Sequence, residues 1–236
     1  MIFAVSDLHG YPLVRFQNGL KSIGFGDSDF LYVLGDVIDR HGDGGAAMLR
    51  WMCTQPNIEL LKGNHEMMML SCASLLENPE TGGAEGLRGK PLRELMHWTD
   101  NGGGVTLNGL AALRESDPDS IPLVLDYVRR APHYDTACVR GQDFLLTHAG
   151  LGGFYPEKTI GEYTAEELIW NRPSLDDEYY EDIMTVFGHT PTVLYGKQYE
   201  GRIIRTRTWC NIDVNVFPYA DHAAVLRLDD MREFYL

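Results

Sequence analysis

Positive charge is scarce in this chain. Its 236 residues carry 20 Lys and Arg against 34 Asp and Glu, a formal charge of −14. A surface of that sign argues against nonspecific binding to nucleic acid or to an anionic membrane. Long apolar runs are missing as well, since none reaches the roughly 20 residues that span a bilayer. The chain runs from Met1 straight into Ile2-Phe3-Ala4-Val5. No basic leader, long apolar stretch or small-residue cleavage site precedes the first strand pattern, so no secretory signal is expected. Cysteine is sparse: Cys53, Cys72, Cys138 and Cys210 are scattered without metal-type spacing. That excludes a disulfide scaffold and a thiolate metal cluster, and it fits free thiols in a reducing cytoplasm. Repeats and low-complexity tracts are absent too. With 44% apolar residues, the chain is expected to form one domain over residues 1–236 with a well-buried core.

What is present is a rhythm of short apolar runs, each closed by polar or glycine residues. Ile2–Ser6, Phe30–Gly35, Ile58–Lys62, Phe144–Thr147 and Met184–Gly188 read as buried strands. Helix-like stretches lie between them at Pro12–Ser22, Gly45–Cys53 and Glu66–Leu76, with Pro12 at a first-turn position. Strand-helix-strand alternation argues an α/β fold. Residues 78–132 break the rhythm. This segment is Gly-rich at Gly82–Gly89 and Gly102–Gly104 and has helical patches at Arg93–Trp98 and Pro122–Arg130. It reads as an inserted helical cap. Strands return at Arg202–Thr206, Cys210–Val214, Ala223–Leu228 and Arg232–Tyr235, which suggests a second sheet packed on the first. The expected architecture is therefore two mixed β-sheets packed as a sandwich and flanked by helices.

The chemistry-bearing residues follow the strands. Asp7-Leu8-His9-Gly10 comes after the first, Gly35-Asp36-Val37-Ile38-Asp39-Arg40 after the second and Gly63-Asn64-His65-Glu66 after the third. Thr147-His148-Ala149-Gly150 and Gly188-His189-Thr190-Pro191 follow the next two. Sites in open α/β sheets lie at the carboxyl ends of strands, so five strands delivering Asp, His, Asn and Arg point to one shared site. Carboxylate and imidazole donors with one amide oxygen suit borderline divalent ions such as manganese, iron or zinc. Each cluster alone has an ordinary explanation: Gly-Asn-His-Glu is also a helix start, and Asn-Gly-Gly is first of all a turn. The ordered set of five is what points to chemistry. His41, His97, His133 and His222 have no motif around them and read as ordinary surface or core histidines. Met67-Met68-Met69 reads as helix packing, and Glu66 as a helix support.

This pattern resembles the calcineurin-like metallophosphoesterases, and within them the phosphoprotein phosphatase branch. It is similar to compact bacterial and phage serine/threonine protein phosphatases and to the related diadenosine tetraphosphatases. Two secondary features fit the same resemblance: Trp98 with Asn101-Gly102-Gly103 and Thr106-Leu107, and Leu168-Ile169-Trp170-Asn171-Arg172. The resemblance implies two divalent metal ions, manganese foremost, with iron or zinc as alternatives. Asp7, His9 and Asp36 would hold one ion. Asp36, Asn64, His148 and His189 would hold the other. His65 would be the general acid, oriented by Asp39, and Arg40 and Arg172 would clamp the phosphate. Two departures bear on substrate choice. His41-Gly42 stands where Gly-Pro usually follows the Asp-Arg pair, and Val214-Asn215 stands where Thr-Gly is common.

The expected reaction is hydrolysis of phosphomonoesters by a metal-bridging hydroxide, with phosphoserine or phosphothreonine in proteins as substrate and phosphotyrosine as an extension. One alternative is a dinucleoside polyphosphate hydrolase. Another, of a different class, is a non-catalytic metal-binding scaffold, against which the retention of His65, Asp39 and Arg40 argues. Phosphopeptides are expected to be better substrates than dinucleotides, because no basic cluster for a polyphosphate and no pair of base-sandwiching aromatics is evident. The segment around Arg88, Arg93 and Trp98 is where that expectation could be overturned.

Overall fold

The computed structural model describes residues 1–77, 88–214 and 222–236. Much of the Gly82–Gly89 stretch, and Asn215, fall outside the described residues. Two five-stranded sheets organise the chain. The first contains β1 (Ile2–Val5), β2 (Phe30–Val33), β3 (Ile58–Leu60), β9 (Ala224–Arg227) and β10 (Arg232–Tyr235), in the order β10-β9-β1-β2-β3. The second contains β4 (Tyr134–Val139), β5 (Gln142–Thr147), β6 (Ile183–Phe187), β7 (Ile204–Arg205) and β8 (Trp209–Asn211), in the order β4-β5-β6-β8-β7. β1, β2 and β3 are mutually parallel, and so are β5, β6 and β8, while β9 pairs antiparallel with both β1 and β10, β4 with β5 and β7 with β8.

Alternation along each strand explains the layering. Phe3 and Val5 of β1, with Leu31 and Val33 of β2, join a core shared with helices. Ala4 and Tyr32 face the other way, into a core that also holds Phe144, Leu146 and Val186 of the second sheet. Leu145 and Phe187 point outward from the second sheet into a third cluster with Leu168 and Trp209. The strands are near-continuously apolar because both faces are covered.

The helices are α1 (Leu13–Ser22), α2 (Ala46–Met52), α3 (Asn64–Ser71), α4 (Ala73–Glu77), α5 (Lys90–Trp98), α6 (Gly104–Ser116), α7 (Ser120–Arg130) and α8 (Ala165–Ile169). Trp98, Leu110, Ile121, Val124 and Val128 of the insert share the first core with β1 and β2. The insert thus packs on the first sheet's helical face. Among the described residues no helix is long and apolar enough to cross a membrane.

Three expectations are corrected. β9 and β10 do not belong to a second sheet: they extend the first, β9 pairing antiparallel with β1. Val225 enters the helical core while Ala224 and Leu226 enter the sheet-sheet core, so β9 carries the double-sided burial of an inner strand. β4 was not anticipated, because as an edge strand its sequence Tyr-Asp-Thr-Ala-Cys-Val is mostly half-buried or exposed. The single helix expected over Glu66–Leu76 is broken at Cys72 into α3 and α4.

Candidate metal centre

Parallel pairing brings the carboxyl ends of five strands to one edge, and backbone bonds fasten the loops that leave them. The Asp7 N–H donates to Gly35 O (3.1 Å) and the His9 N–H to Asp36 O (2.9 Å), tying the first two loops together. The Gly188 N–H donates to His148 O (2.8 Å), tying the last two. Glu66, fully buried, accepts from the N–H groups of Asp36, Val37 and Gly63 at 2.8–2.9 Å. It braces two loops rather than facing the site.

The loops are conformationally unusual. Asp7, His9, Asp36, Asp39, Arg40 and His189 all have positive φ, between 42° and 75°. Non-glycine residues adopt this region at a cost of order 1–3 kcal/mol each and concentrate at functional sites. Gly63 is required for close approach: a Cβ there would sit 2.2 Å from Asp36 Oδ1.

All six expected metal ligands are buried at 6% exposure or less. Four of them, with His65 in addition, form two donor sets that share Asp36, and Asp7 and Asn64 stand beside these sets. His9, Asp36 and His65 offer one set; Asp36, His148 and His189 offer the other, with donors in each within 4.8 Å of one another. The His9 Nδ1–H is held by Ile38 O (2.8 Å), which aims Nε2 at Asp36 Oδ2 (3.7 Å) and Asp7 Oδ1 (4.0 Å). The His148 Nδ1–H is held by Leu34 O (2.6 Å), and its Nε2 faces Asn64 Oδ1 (3.0 Å) and Asp36 Oδ1 (3.4 Å). Such carbonyl contacts fix the tautomer and ring orientation of a ligating imidazole.

The donor chemistry fits a divalent pair. His189 Nε2 is buried with no hydrogen-bond partner, an arrangement that costs free energy unless a cation takes the lone pair. Burial drives His189 down to about 2 and His9 down to about 3, so both imidazoles are neutral and their lone pairs free. Burial opposes the charge on Asp36, but His148 and then His65 outweigh it and hold the carboxyl well below the usual range. Burial likewise opposes protonation of His148, yet Asp36 holds its pKa well above the ordinary histidine value. A divalent cation and that proton compete for the same donors. Burial raises Asp7, which its neighbours Asp36 and Ser6 push in opposite directions.

His65 sits differently. Its Nδ1–H donates to Asp39 Oδ2 (2.6 Å), and its Nε2 lies 3.3 Å from Arg40 Nη2. Asp39 is fully buried and receives two further side-chain donors: the Trp98 indole (2.9 Å to Oδ2) and the Thr106 hydroxyl (2.5 Å to Oδ1). Burial lowers the His65 pKa, but Asp36 and Asp39 more than compensate and hold it above the ordinary value. Arg172 Nη1 donates to His189 O (3.2 Å) and Thr190 Oγ1 (3.4 Å), which puts its guanidinium at the rim.

All ten residues picked from the sequence therefore meet at one edge. Trp98 does not face the opening: it is buried behind Asp39. The sequence does not show the bracing by Trp98 and Thr106, because Asn101-Gly102-Gly103 between them has the composition of a turn. Residues 99–103 instead form a π-helical turn between α5 and α6, with Gly102 at φ 101° and its carbonyl accepting the Arg40 N–H (3.1 Å). Trp170 is 40% exposed and meets the His189 ring edge-on at 5.9 Å.

The sequence profile described as calcineurin-like phosphoesterase matches residues 1–216. The chain belongs to that family. Among curated proteins, a symmetrical bis(5'-nucleosyl)-tetraphosphatase of Acidovorax sp. (strain JS42) is 27% identical over 169 residues. The alignment covers 71% of this chain and 47% of that protein. One of the same description from Acidovorax ebreus (strain TPSY) is 26% identical over the same shares. The chain thus spans about half the length of the curated relatives it matches. Among solved structures, a candidate diadenosine tetraphosphatase superposes with TM-score 0.62 at 16% identity, covering 100% of this chain and 92% of that one. A protein serine/threonine phosphatase of Saccharomyces cerevisiae, similar to human phosphatase PP5, gives TM-score 0.58 at 14% identity, covering 100% and 78%. At these identities the two structures establish the fold.

Proposed function

We propose that this chain hydrolyses phosphate esters at a dinuclear centre, Asp7, His9 and Asp36 taking one divalent ion and Asp36, Asn64, His148 and His189 the other. The observation that carries the reading is the pair of donor sets sharing the Asp36 carboxylate. When bound, two such ions supply Lewis acidity for the phosphoryl oxygens and an acidified water for in-line attack. Manganese is the ion expected to support activity best in vitro, with iron or zinc as the other candidates.

The chain's own residues do the rest. Arg40 and Arg172 offer planar forks of donors that match phosphate oxygens and orient the ester. They also add positive charge where a protein of net −14 must admit an anion. His65 donates a proton to the leaving oxygen. Asp39 holds its Nδ1–H, fixing the ring so that the Nε2 proton is the one delivered. Trp98 and Thr106 keep the Asp39 carboxylate in place.

Two substrate classes fit this chemistry. Phosphoserine and phosphothreonine in proteins need only a metal centre, two arginines and an acid. Dinucleoside polyphosphates are favoured as a second reading by what the curated relatives are described as cleaving. A scaffold role fits poorly, because a scaffold has no use for the buried His65–Asp39 pair.

The test is metal reconstitution after chelation, with activity on p-nitrophenyl phosphate, phosphopeptides and a dinucleoside tetraphosphate. Asp36→Asn should abolish activity and retain fewer than two metals after dialysis, read by elemental analysis. Two full equivalents of metal in that variant would refute the shared-carboxylate assignment.

A further inference from the structure

We propose that the cleft between α3 and α5 is the leaving-group subsite and selects a nucleoside polyphosphate, with Arg93 and His97 holding the phosphate next to the one attacked and Trp170 stacking a base. This rests on the phosphoester-hydrolase reading above. The cleft has a volume of about 540 Å³ and is lined by Asn64, Met67, Lys90, Arg93, His97 and Trp170 among others. Asn64 belongs to the metal centre, so the cleft opens directly from it.

Helix geometry assembles the cationic wall. Lys90, Arg93 and His97 are spaced three and four residues apart and share one face of α5. The opposite side of the helix, with Leu95 and Trp98, packs into the first core. Lys90 is paired with Glu94 at 3.4 Å, so those two charges offset each other. Among the described residues Arg93 has no ion-pair partner. Its guanidinium thus differs from those of Arg50, Arg129, Arg130, Arg205, Arg207 and Arg227, each of which faces a carboxylate within 3.2 Å. Among the described residues beside the site, Arg40 and Arg172 likewise have no carboxylate partner.

An uncommitted guanidinium next to a phosphoryl site matches a second phosphate on the substrate. A seryl or threonyl leaving group brings no such charge. The rest of the lining suits a base: Trp170 presents an exposed ring, and Met67 adds a polarisable thioether. Arg88 does not line the cleft. At the scissile anhydride, the water oxygen bonds to phosphorus. The bond from that phosphorus to the bridging oxygen breaks, and its electron pair stays on the leaving nucleoside diphosphate. The two hydrogens of the water end as protons in solvent at neutral pH. One dinucleoside tetraphosphate and one water thus give two nucleoside diphosphates.

The experiment compares kcat/KM for diadenosine tetraphosphate, an acidic phosphopeptide and p-nitrophenyl phosphate, using the manganese-loaded full chain and its Arg93→Ala, Arg93→Lys and Trp170→Leu variants. The wild-type chain should prefer the tetraphosphate over the phosphopeptide. In Arg93→Ala the ratio of tetraphosphate to p-nitrophenyl phosphate kcat/KM should fall at least tenfold, mainly through KM, and Arg93→Lys should restore part of it. Trp170→Leu should lower the same ratio. An unchanged ratio in Arg93→Ala overturns the subsite. A tenfold wild-type preference for the phosphopeptide also overturns it and leaves the hydrolase reading standing. If no substrate is turned over, p-nitrophenyl phosphate included, the hydrolase reading itself falls.

Discussion

Thr106→Val isolates a support of the proposed acid without touching His65 or a metal ligand. Thr106 is fully buried in α6, and its hydroxyl donates to Asp39 Oδ1 at 2.5 Å while accepting the Asp39 N–H at 3.0 Å. Valine has nearly the same shape, so packing is retained and both hydrogen bonds go. A bond to a charged acceptor contributes about 1.5–3 kcal/mol and a neutral one about 1 kcal/mol. The sum is a loss of roughly 2.5–4 kcal/mol in unfolding free energy. For a domain of this size that lowers Tm by roughly 5–16 °C. Thr106→Ser keeps the hydroxyl and removes only a methyl, so it should lie closer to wild type. Thermal unfolding followed by circular dichroism in the presence of metal reads both variants. The activity consequence is selective, because a loosened Asp39 aims His65 less well. An alkyl phosphate, whose leaving group needs protonation, should lose more turnover than p-nitrophenyl phosphate. The reasoning is refuted if Thr106→Ser destabilises more than Thr106→Val, since the methyl would then matter and the hydroxyl would not.

His65→Asn should keep both metals and slow alkyl phosphate turnover by roughly 10²–10⁴-fold, the usual size of general acid catalysis. Equal losses on alkyl and aryl esters would rule out the proton-donor role. Arg172→Ala should weaken inhibition by free phosphate and reduce kcat/KM by a factor corresponding to about 1.5–3 kcal/mol, with metal content unchanged. Unaltered kinetics would make Arg172 a surface residue whose bonds to His189 and Thr190 serve only the loop.

The sandwich and its edge were legible because the relevant signals are local. Short apolar runs ending in Asp-x-His-Gly or Gly-Asn-His-Glu declare both a buried strand and the chemistry at its end, and these loops need little from the rest of the chain. What was not legible depends on partners distant in sequence. β4 exists because β5 offers it hydrogen bonds, and its half-exposed face writes no apolar alternation. β9 reads like any buried strand, and nothing in Ala-Val-Leu-Arg says it will pair with β1 across more than 200 residues. The helix at Gly104–Ser116 was hidden behind glycines that mark a turn by composition. Their actual use is to let the 99–103 segment approach Arg40, where a Cβ on Gly102 would come within 3.0 Å of the Arg40 side chain. The basic face of α5 was invisible for another reason. Lys90, Arg93 and His97 are ordinary surface residues until packing sets that helix beside Asn64.

The proposed metal ligands and the proposed substrate contacts have separate supports in this fold. The ligands come from loops at strand ends that are tied to one another through backbone bonds, and most of those loops hold residues at positive φ. Such a frame tolerates little change. The cleft comes from α5, which sits between β3 and β4 in the chain and packs against α3. Exposed residues on its outer face, Arg93 and His97 included, can change without disturbing a strand or a ligand. The two systems meet at Trp98, the last residue of α5, through its indole bond to Asp39. A shift of α5 that admits a different leaving group must therefore also move Asp39, the partner of the proposed acid His65. In the proposed mechanism, selection of the leaving group and orientation of its proton donor are therefore mechanically joined at that one side chain.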